Sequence, residues 1–344
     1  MADQGRDTSR LDEDDVRVRP NPRGSRPRSK QRPQHEDAAP GMVLTVDRGR
    51  YEVLVGADPP NVPVDGASVT AMRARELGRK GIAVGDRVRV VGERTGAEAL
   101  VRIVSVDERS TVLRRTADDD DPLERVIVAN ADQLVIVSAL ADPEPTYGLI
   151  DRALVAALTA GLEPLLCLTK SDLAPPDDAL ERYAALSVPA VVTRRGAPLD
   201  ELRSRLAEHM SVFVGHSGVG KSTLINALVP DAGRATGVVS AIGKGRHISS
   251  SAIALPLPSD DRWGSGWVID TPGVRSFGLA HVTAEDLLWA FPDLEDGATQ
   301  CPPGCEHLDE AAGCHLDEWV RTGHATAERL AAFRRLLLSR SAAL

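Results

Sequence analysis

A chain of 344 residues is too long for one ordinary core, so two or three domains are expected, and 42% apolar content is enough to fill them. Aromatic residues make up only 3%, leaving the packing to aliphatic side chains, and the net charge of −9 excludes a uniformly basic nucleic-acid binder but permits local basic patches. No apolar run reaches the ~18–20 residues of a membrane span, and "MADQGRDTSRLDEDD" has no apolar stretch of the secretory kind, so a cytoplasmic protein with no membrane partner is expected.

Residues 1–39 are rich in Arg, Asp and Pro without a periodic apolar face, which predicts a disordered tail. Charge is segregated within it. Asp12 to Asp15 are all acidic, whereas Arg17, Arg19, Arg23, Arg26, Arg28, Lys30 and Arg32 follow with no acid among them. The segment reads either as a solvated tail or as a basic arm that docks on a phosphate-rich surface and releases counterions.

Residues 40–116 alternate in the manner of short strands. "MVLTVDRGRYEVLV" predicts two strands meeting near Asp47 to Arg50, and "GDRVRVVGERTGAEALVRIVSVDERSTVLRR" predicts three more. Five short strands fit a small closed β-barrel, with an OB-fold favoured and an SH3-like barrel the alternative. Tyr51 is the one aromatic residue of the segment, so RNA would be gripped by backbone and shape through Arg73, Arg75, Arg79, Lys80, Arg87 and Arg89.

Residues 117–280 have an α/β texture. Apolar runs at 134–140, 164–169, 190–193, 211–215 and 266–270 predict buried strands, and "LIDRALVAALTAG" (149–161) has helical spacing. Three motifs lie on this scaffold. "GHSGVGKST" supplies Gly215, His216, Ser217, Gly218, Val219, Gly220, Lys221, Ser222 and Thr223, preceded by a strand and followed by a helix, which is the context of a phosphate loop. Its glycines let backbone N–H groups close on phosphate, Lys221 reaches the β/γ oxygens, and the Ser222 hydroxyl ligates magnesium. "DTPG" ends the 266–270 strand. Asp270 there is suited to hold Mg²⁺ through water and the Gly273 N–H to sense the γ-phosphate. "TKSD" follows the 164–169 strand. Asp172 is placed to accept from guanine N1–H and the 2-amino group together, a donor pair that adenine lacks, while Lys170 lays its stem along the base. Thr169 and Ser171 complete that loop, and a helix cap at Ser171 or Asp172 is the plain alternative.

The order of these motifs is unusual. A guanine reader at 169, a phosphate loop at 215 and a magnesium switch at 270 are the parts of a GTPase in circularly permuted order, a rearrangement that moves the termini but keeps the packed sheet. With the upstream barrel, "NADQLVIVSAL", "GVGKSTLINAL", "GKGRH", "VIDTPGVRSFGL", "FPDLED" and a downstream Cys/His cluster, the chain resembles the ribosome small-subunit-dependent GTPase A (RsgA) family from about Gly41 onward. The resemblance implies an OB-fold, a permuted P-loop GTPase domain and a C-terminal helical zinc-binding domain over 281–344. It also implies GTP hydrolysis to GDP and phosphate, stimulated by the small ribosomal subunit and its rRNA during late maturation, in a protein expected to be a monomer.

Two of the nucleotide motifs depart from the family pattern. The switch reads Gly245-Arg246-His247-Ile248-Ser249-Ser250 where Gly-Arg-His-Thr-Thr-Thr is usual, so Ser249 or Ser250 must complete the Mg²⁺ shell. The guanine motif begins with Thr169 where Asn is usual. Val274 stands where many GTPases place the glutamine that orients water, so slow intrinsic hydrolysis is expected, with the ribosome ordering the site and His247 a candidate to assist. A scaffold gated by nucleotide, with negligible turnover, is the competing function, and a P-loop ATPase or kinase is disfavoured by "TKSD". In "CPPGCEHLDEAAGCH", Cys301, Cys305, His307 and Cys314 form a closed set suited to one structural Zn²⁺, with His315 a possible substitute ligand. Three residues separate the first two cysteines and six separate His307 from Cys314, a shift from the family's four and five. Cys167, in an apolar strand, reads as core.

Overall fold

A computed structural model describes residues 35, 37–56, 68–77, 81–92, 101–116, 124–230, 252–259, 262, 264–272, 277, 279, 281–309 and 313–340. The expected disordered tail and basic arm lie outside these residues, apart from His35 and 37–39, as do Arg79 and Lys80 of the barrel.

β1 (Ala39–Asp47) and β2 (Arg50–Val55) form the expected hairpin, and Arg48 and Gly49 at its tip both have positive φ, 44° and 86°, as a two-residue turn of matching twist requires. They continue into β3 (Ser68–Arg73), β4 (Arg87–Val91) and β5 (Val101–Val106). The order is β1-β2-β3-β5-β4, β4 returns to pair with β1, and only β3 and β5 run parallel. This is a closed five-stranded OB-like barrel. Val88 and Val90 point inward between the outward Arg87 and Arg89, the alternation from which the strand was expected. Tyr51 is buried in the barrel core with Val43, Val53, Val101 and Ile103, so it offers no face for base stacking.

One expected barrel strand is corrected. β6 (Val112–Thr116) leaves the barrel and pairs with β7 (Glu124–Ala129) as a separate hairpin, and β3 takes its place. The physical reason is that β3 turns only Val69 and Ala71 fully into the core, a weak apolar signal, whereas "TVLRR" carries the adjacent β-forming pair Val112 and Leu113 but finds its partner further along the chain. Asp86, fully buried, fixes the segment before β4. It accepts from Ala83 N at 2.8 Å and takes Arg109 Nε and Nη2 at 2.7 and 2.8 Å. The pairing holds the Arg109 guanidinium above its ordinary pKa. Arg109→Ala would leave a buried carboxylate without its cation. It is expected to cost about 3 kcal/mol, read as a lower denaturant midpoint at unchanged slope.

The central sheet has order β10-β9-β8-β11-β13-β12, formed by β8 (Gln133–Ala139), β9 (Glu163–Thr169), β10 (Ala190–Val192), β11 (Met210–Val214), β12 (Ile253–Leu257) and β13 (Gly266–Asp270). All neighbours are parallel except β12. Helices α1 (Tyr147–Thr159), α2 (Asp177–Ala184), α3 (Asp200–Leu206) and α4 (Lys221–Leu228) connect them. Both faces are covered, which is why the strands read as continuous apolar runs. Leu134 and Ile136 of β8 pack with α1, and Val135 and Val137 pack with α3 and α4. If the strands are counted from β11 and the count passes from β13 to β8, the sheet becomes one ordinary doubly wound order. The permutation is therefore a cut in the chain and not a change in packing.

A single register pair, Thr45 with Ile253, joins β1 to β12 and so the barrel to this sheet. The C-terminal region is helical, with α5 (Ala284–Leu288), α6 (Pro292–Ala298), α7 (Leu316–Arg321) and α8 (Ala327–Ser339). Thr283 and Asp286 form a reciprocal cap on α5, and Thr326 accepts from Arg329 N at 3.1 Å to start α8. Phe291 and Phe333 meet edge to face at 5.1 Å and centre the packing. Among the described residues no helix is long and apolar enough to cross a membrane.

Candidate nucleotide site and metal centre

The three motifs meet at the C-terminal ends of β9, β11 and β13, where open α/β sheets receive ligands. A side chain at Gly215 would run into the Val137 carbonyl of β8, so only glycine lets the loop leave β11 there. Gly218 and Gly220 have φ of 85° and 93°, and Gly220 caps α4 in the left-handed conformation. The loop thus wraps the N-terminus of α4, where free N–H groups and the helix dipole favour anions.

Lys221 opens α4, is buried, and its ammonium contacts the Asp270 carboxylate at the end of β13. His216, Ser217, Ser222 and Thr223 are exposed around it, and Val219 is buried beneath. The guanine motif is fastened to the same place. The Thr169 hydroxyl donates to the Val219 carbonyl at 2.6 Å, and the Lys170 ammonium, from a residue with φ of 60°, donates to the Asp142 carbonyl. Ser171 N donates to the Thr193 carbonyl at 3.2 Å, and Asp172 is exposed. The plain alternative, a cap on the following helix, does not hold, because α2 begins only at Asp177.

Two residues escaped sequence reasoning. The buried Thr271 hydroxyl donates to the Phe213 carbonyl at 2.6 Å, pinning the end of β13 to the strand that carries the phosphate loop. Thr193, also buried, brings the loop after β10 beside the guanine motif. The signal for it was slight: a polar residue directly after three apolar ones in "AVVTRRG". Gly273, Val274, His247, Ser249 and Ser250 lie outside the described residues.

The expected metal ligands converge. Ligand atoms of Cys301, Cys305, His307 and Cys314 all lie within 4.8 Å of one another, and Cys314 Sγ is 3.8 Å from His307 Nδ1. Three sulfurs and one imidazole at this spacing can hold a metal ion. Burial and then the nearby Arg334 hold the His307 pKa below its ordinary value, which keeps the ring neutral as a ligand must be. Burial, with Cys301 and Cys305 alongside, pushes the Cys314 thiol up to about 11, so a metal must displace protons to bind. His315 is not a member of the set; its backbone N–H donates to Cys301 Sγ at 3.1 Å. Arg334 of α8 secures the knot, donating through Nε to the His307 carbonyl at 3.0 Å and pairing with Asp317 at 2.7 Å. Cys167, fully buried in β9, has its pKa pushed up to about 12 by burial and is an inert core residue.

Comparison with known proteins agrees with this geometry. The family model for the RsgA GTPase matches residues 106–280. The chain is 39% identical over 256 residues to the small ribosomal subunit biogenesis GTPase RsgA of Pseudomonas aeruginosa, covering 72% of this chain and 73% of that one. Its counterpart in Pseudomonas putida is 38% identical over 268 residues, 75% of each chain. The crystal structure of YjeQ from Thermotoga maritima superposes with a TM-score of 0.62 at 27% identity, covering 88% of this chain and 98% of that one. That of YloQ, described as a circularly permuted GTPase, gives 0.59 at 23% identity over 90% and 96%, a likeness of fold. The permuted sheet, the three converging motifs and these matches together establish that the chain belongs to the RsgA GTPase family.

Proposed function

We propose that this protein binds GTP and hydrolyses it to GDP and phosphate on the small ribosomal subunit, as a late step in that subunit's maturation. The observation that carries the reading is the bond from Thr169 to Val219, which fastens a guanine-type loop to a phosphate loop while Lys221 meets Asp270 on the other side. In this reading the amides of Gly215 to Thr223 cradle the phosphates, Lys221 offsets the β/γ charge, and Ser222 with Asp270 holds Mg²⁺. Thr169 to Asp172 read guanine, with Asp172 the acceptor. Gly273 and His247 act at the γ-phosphate and the water, and Ser249 or Ser250 completes the magnesium shell. Four parts follow: a tail over 1–39, a barrel over 40–116, the permuted GTPase domain over 117–280 and the metal-bearing domain over 281–344. The protein works as a cytoplasmic monomer, with arginines of the barrel and tail meeting rRNA phosphates. Comparing GTP and ATP turnover, each with and without small subunits, tests the assignment; ATP used as readily as GTP would overturn it.

The metal in the Cys₃His knot is Zn²⁺, whose preferred tetrahedral sulfur–nitrogen shell matches this donor set. Purified protein should carry about one zinc per chain. Cys305→Ser should lower zinc content and melt the C-terminal helices at lower temperature, while GDP binding at the phosphate loop survives. Unchanged zinc stoichiometry in that variant would show that the ligand set is wrong.

A further inference from the structure

Asp151, in the middle of α1, is buried, yet the nucleotide chemistry makes no use of it. A buried carboxylate is costly unless its partners hold it there. Oδ2 lies 3.4 Å from Arg182 Nη2, on α2, and 3.4 Å from Arg335 Nε, on α8. Two of the chain's three tyrosines flank these arginines: Arg182 lies over Tyr147 at 4.7 Å, Arg335 over Tyr183 at 5.5 Å, and the two rings are 6.4 Å apart. Arg335 Nη2 also donates to the Arg182 carbonyl at 3.3 Å, and Arg329, on the same helix, to the Ala185 carbonyl at 3.0 Å. Asp151 of α1 is thus where ion pairs from α2 and α8 meet, one of them, to Arg182, also a hydrogen bond, while its Oδ1 has no hydrogen-bond partner.

The two ends of this arrangement face different chemistry. α1 springs from the loop whose Asp142 carbonyl receives the Lys170 ammonium. Pro143 of that loop stands against the phosphate loop, 3.5 Å from where a side chain on Gly218 would begin. The segment leading into α1 therefore meets both nucleotide loops, and the hydrogen-bonded cylinder of α1 runs on from it to Asp151. At the far side, Arg335 is followed back along α8 by Arg334, which holds the carbonyl of the metal ligand His307. Adjacent arginines on one helix grip the metal knot and α1.

We infer that Asp151 is a positioning residue that couples the nucleotide loops to the metal-bearing domain, so that nucleotide state sets how firmly α8 is held. The inference rests on the nucleotide reading above. Linkage makes the coupling reciprocal: a partner that binds only the firmly held state of α8 would raise the affinity for the nucleotide that favours that state, by the same factor.

Amide hydrogen exchange on the full chain, with and without Mg·GDP or a non-hydrolysable GTP analogue, tests it. In the wild type, nucleotide should slow exchange across α8 by roughly fivefold or more, the lower end of ordinary coupling. In Asp151→Asn, which keeps the volume and removes the charge, that response should fall below about twofold, with GDP affinity within about threefold of wild type. Arg335→Gln should reproduce the loss from the other helix, and the double variant should add nothing further. A merely structural Asp151 would instead raise α8 exchange equally with and without nucleotide, which overturns the proposal. So does a wild-type α8 that ignores bound GDP. Absence of GDP binding by the wild type would overturn the nucleotide reading itself, and is seen separately in the binding titration.

Discussion

Lys221→Ala is expected to lower GTP turnover by about 10³-fold or more and to weaken nucleotide binding sharply. The ammonium is buried at the start of α4 against Asp270, in a place where water screens little. Phosphoryl transfer asks the protein mainly for position and charge, and this lysine is the one cation among the described residues of the phosphate loop. Because the Asp270 side chain keeps 22% of its exposure, its carboxylate can be solvated when the lysine is gone, so the fold should survive. The variant should therefore melt near the wild type while losing activity. Undiminished turnover in a well-folded Lys221→Ala protein would remove the phosphate-loop assignment.

Asp172→Asn is expected to change which base the pocket prefers. In the proposed reading the exposed Asp172 carboxylate accepts from two guanine donors; an amide would accept from one and present its own N–H groups to the other. Against guanine this leaves a donor facing a donor. Xanthine carries a carbonyl where guanine has its amino group and restores the match. Binding of GDP should fall by about 10²-fold or more and that of XDP should rise, so the ratio of the two dissociation constants inverts. An unchanged ratio would mean that another residue reads the base. Lys170 and Ser171 would then be the places to look, since Lys170 crosses to the Asp142 carbonyl and Ser171 is tied to Thr193.

What could be read from the residues alone was whatever is local. β8, β9 and β11 announce themselves as apolar runs because both faces of the sheet are covered, and the Gly-Lys-Ser loop and the Cys/His knot each lie within one short stretch of chain. β12 was hidden because "IALPL" contains Pro256. A proline is tolerated there because β12 lies near the sheet's edge and meets β1 through a single register pair. β3 is hidden by its weak apolar signal, and β6 reads as a barrel strand because nothing in its own residues names its partner. Side chains that act across long separations left no trace in the sequence. Arg109 finds Asp86 from 23 residues away, Thr169 finds Val219 from 50, and the two ion pairs of Asp151 come from separate helices. Each is an ordinary residue until the fold supplies its partner. The same holds for Thr193, which sits beside the guanine motif only because β10 runs parallel to β9.

The most direct measurement is GTP hydrolysis by the full chain alone, with small ribosomal subunits and with large ones, over a range of salt. With Val274 unable to aim water, the free protein should turn over on the order of 10⁻³ s⁻¹ or slower. Small subunits should raise the rate by orders of magnitude, large subunits should do little, and the stimulation should fall steeply as salt competes for rRNA phosphates. Fast turnover by the free protein, or no acceleration by small subunits at low salt, would contradict the account and favour a scaffold that uses nucleotide only as a gate.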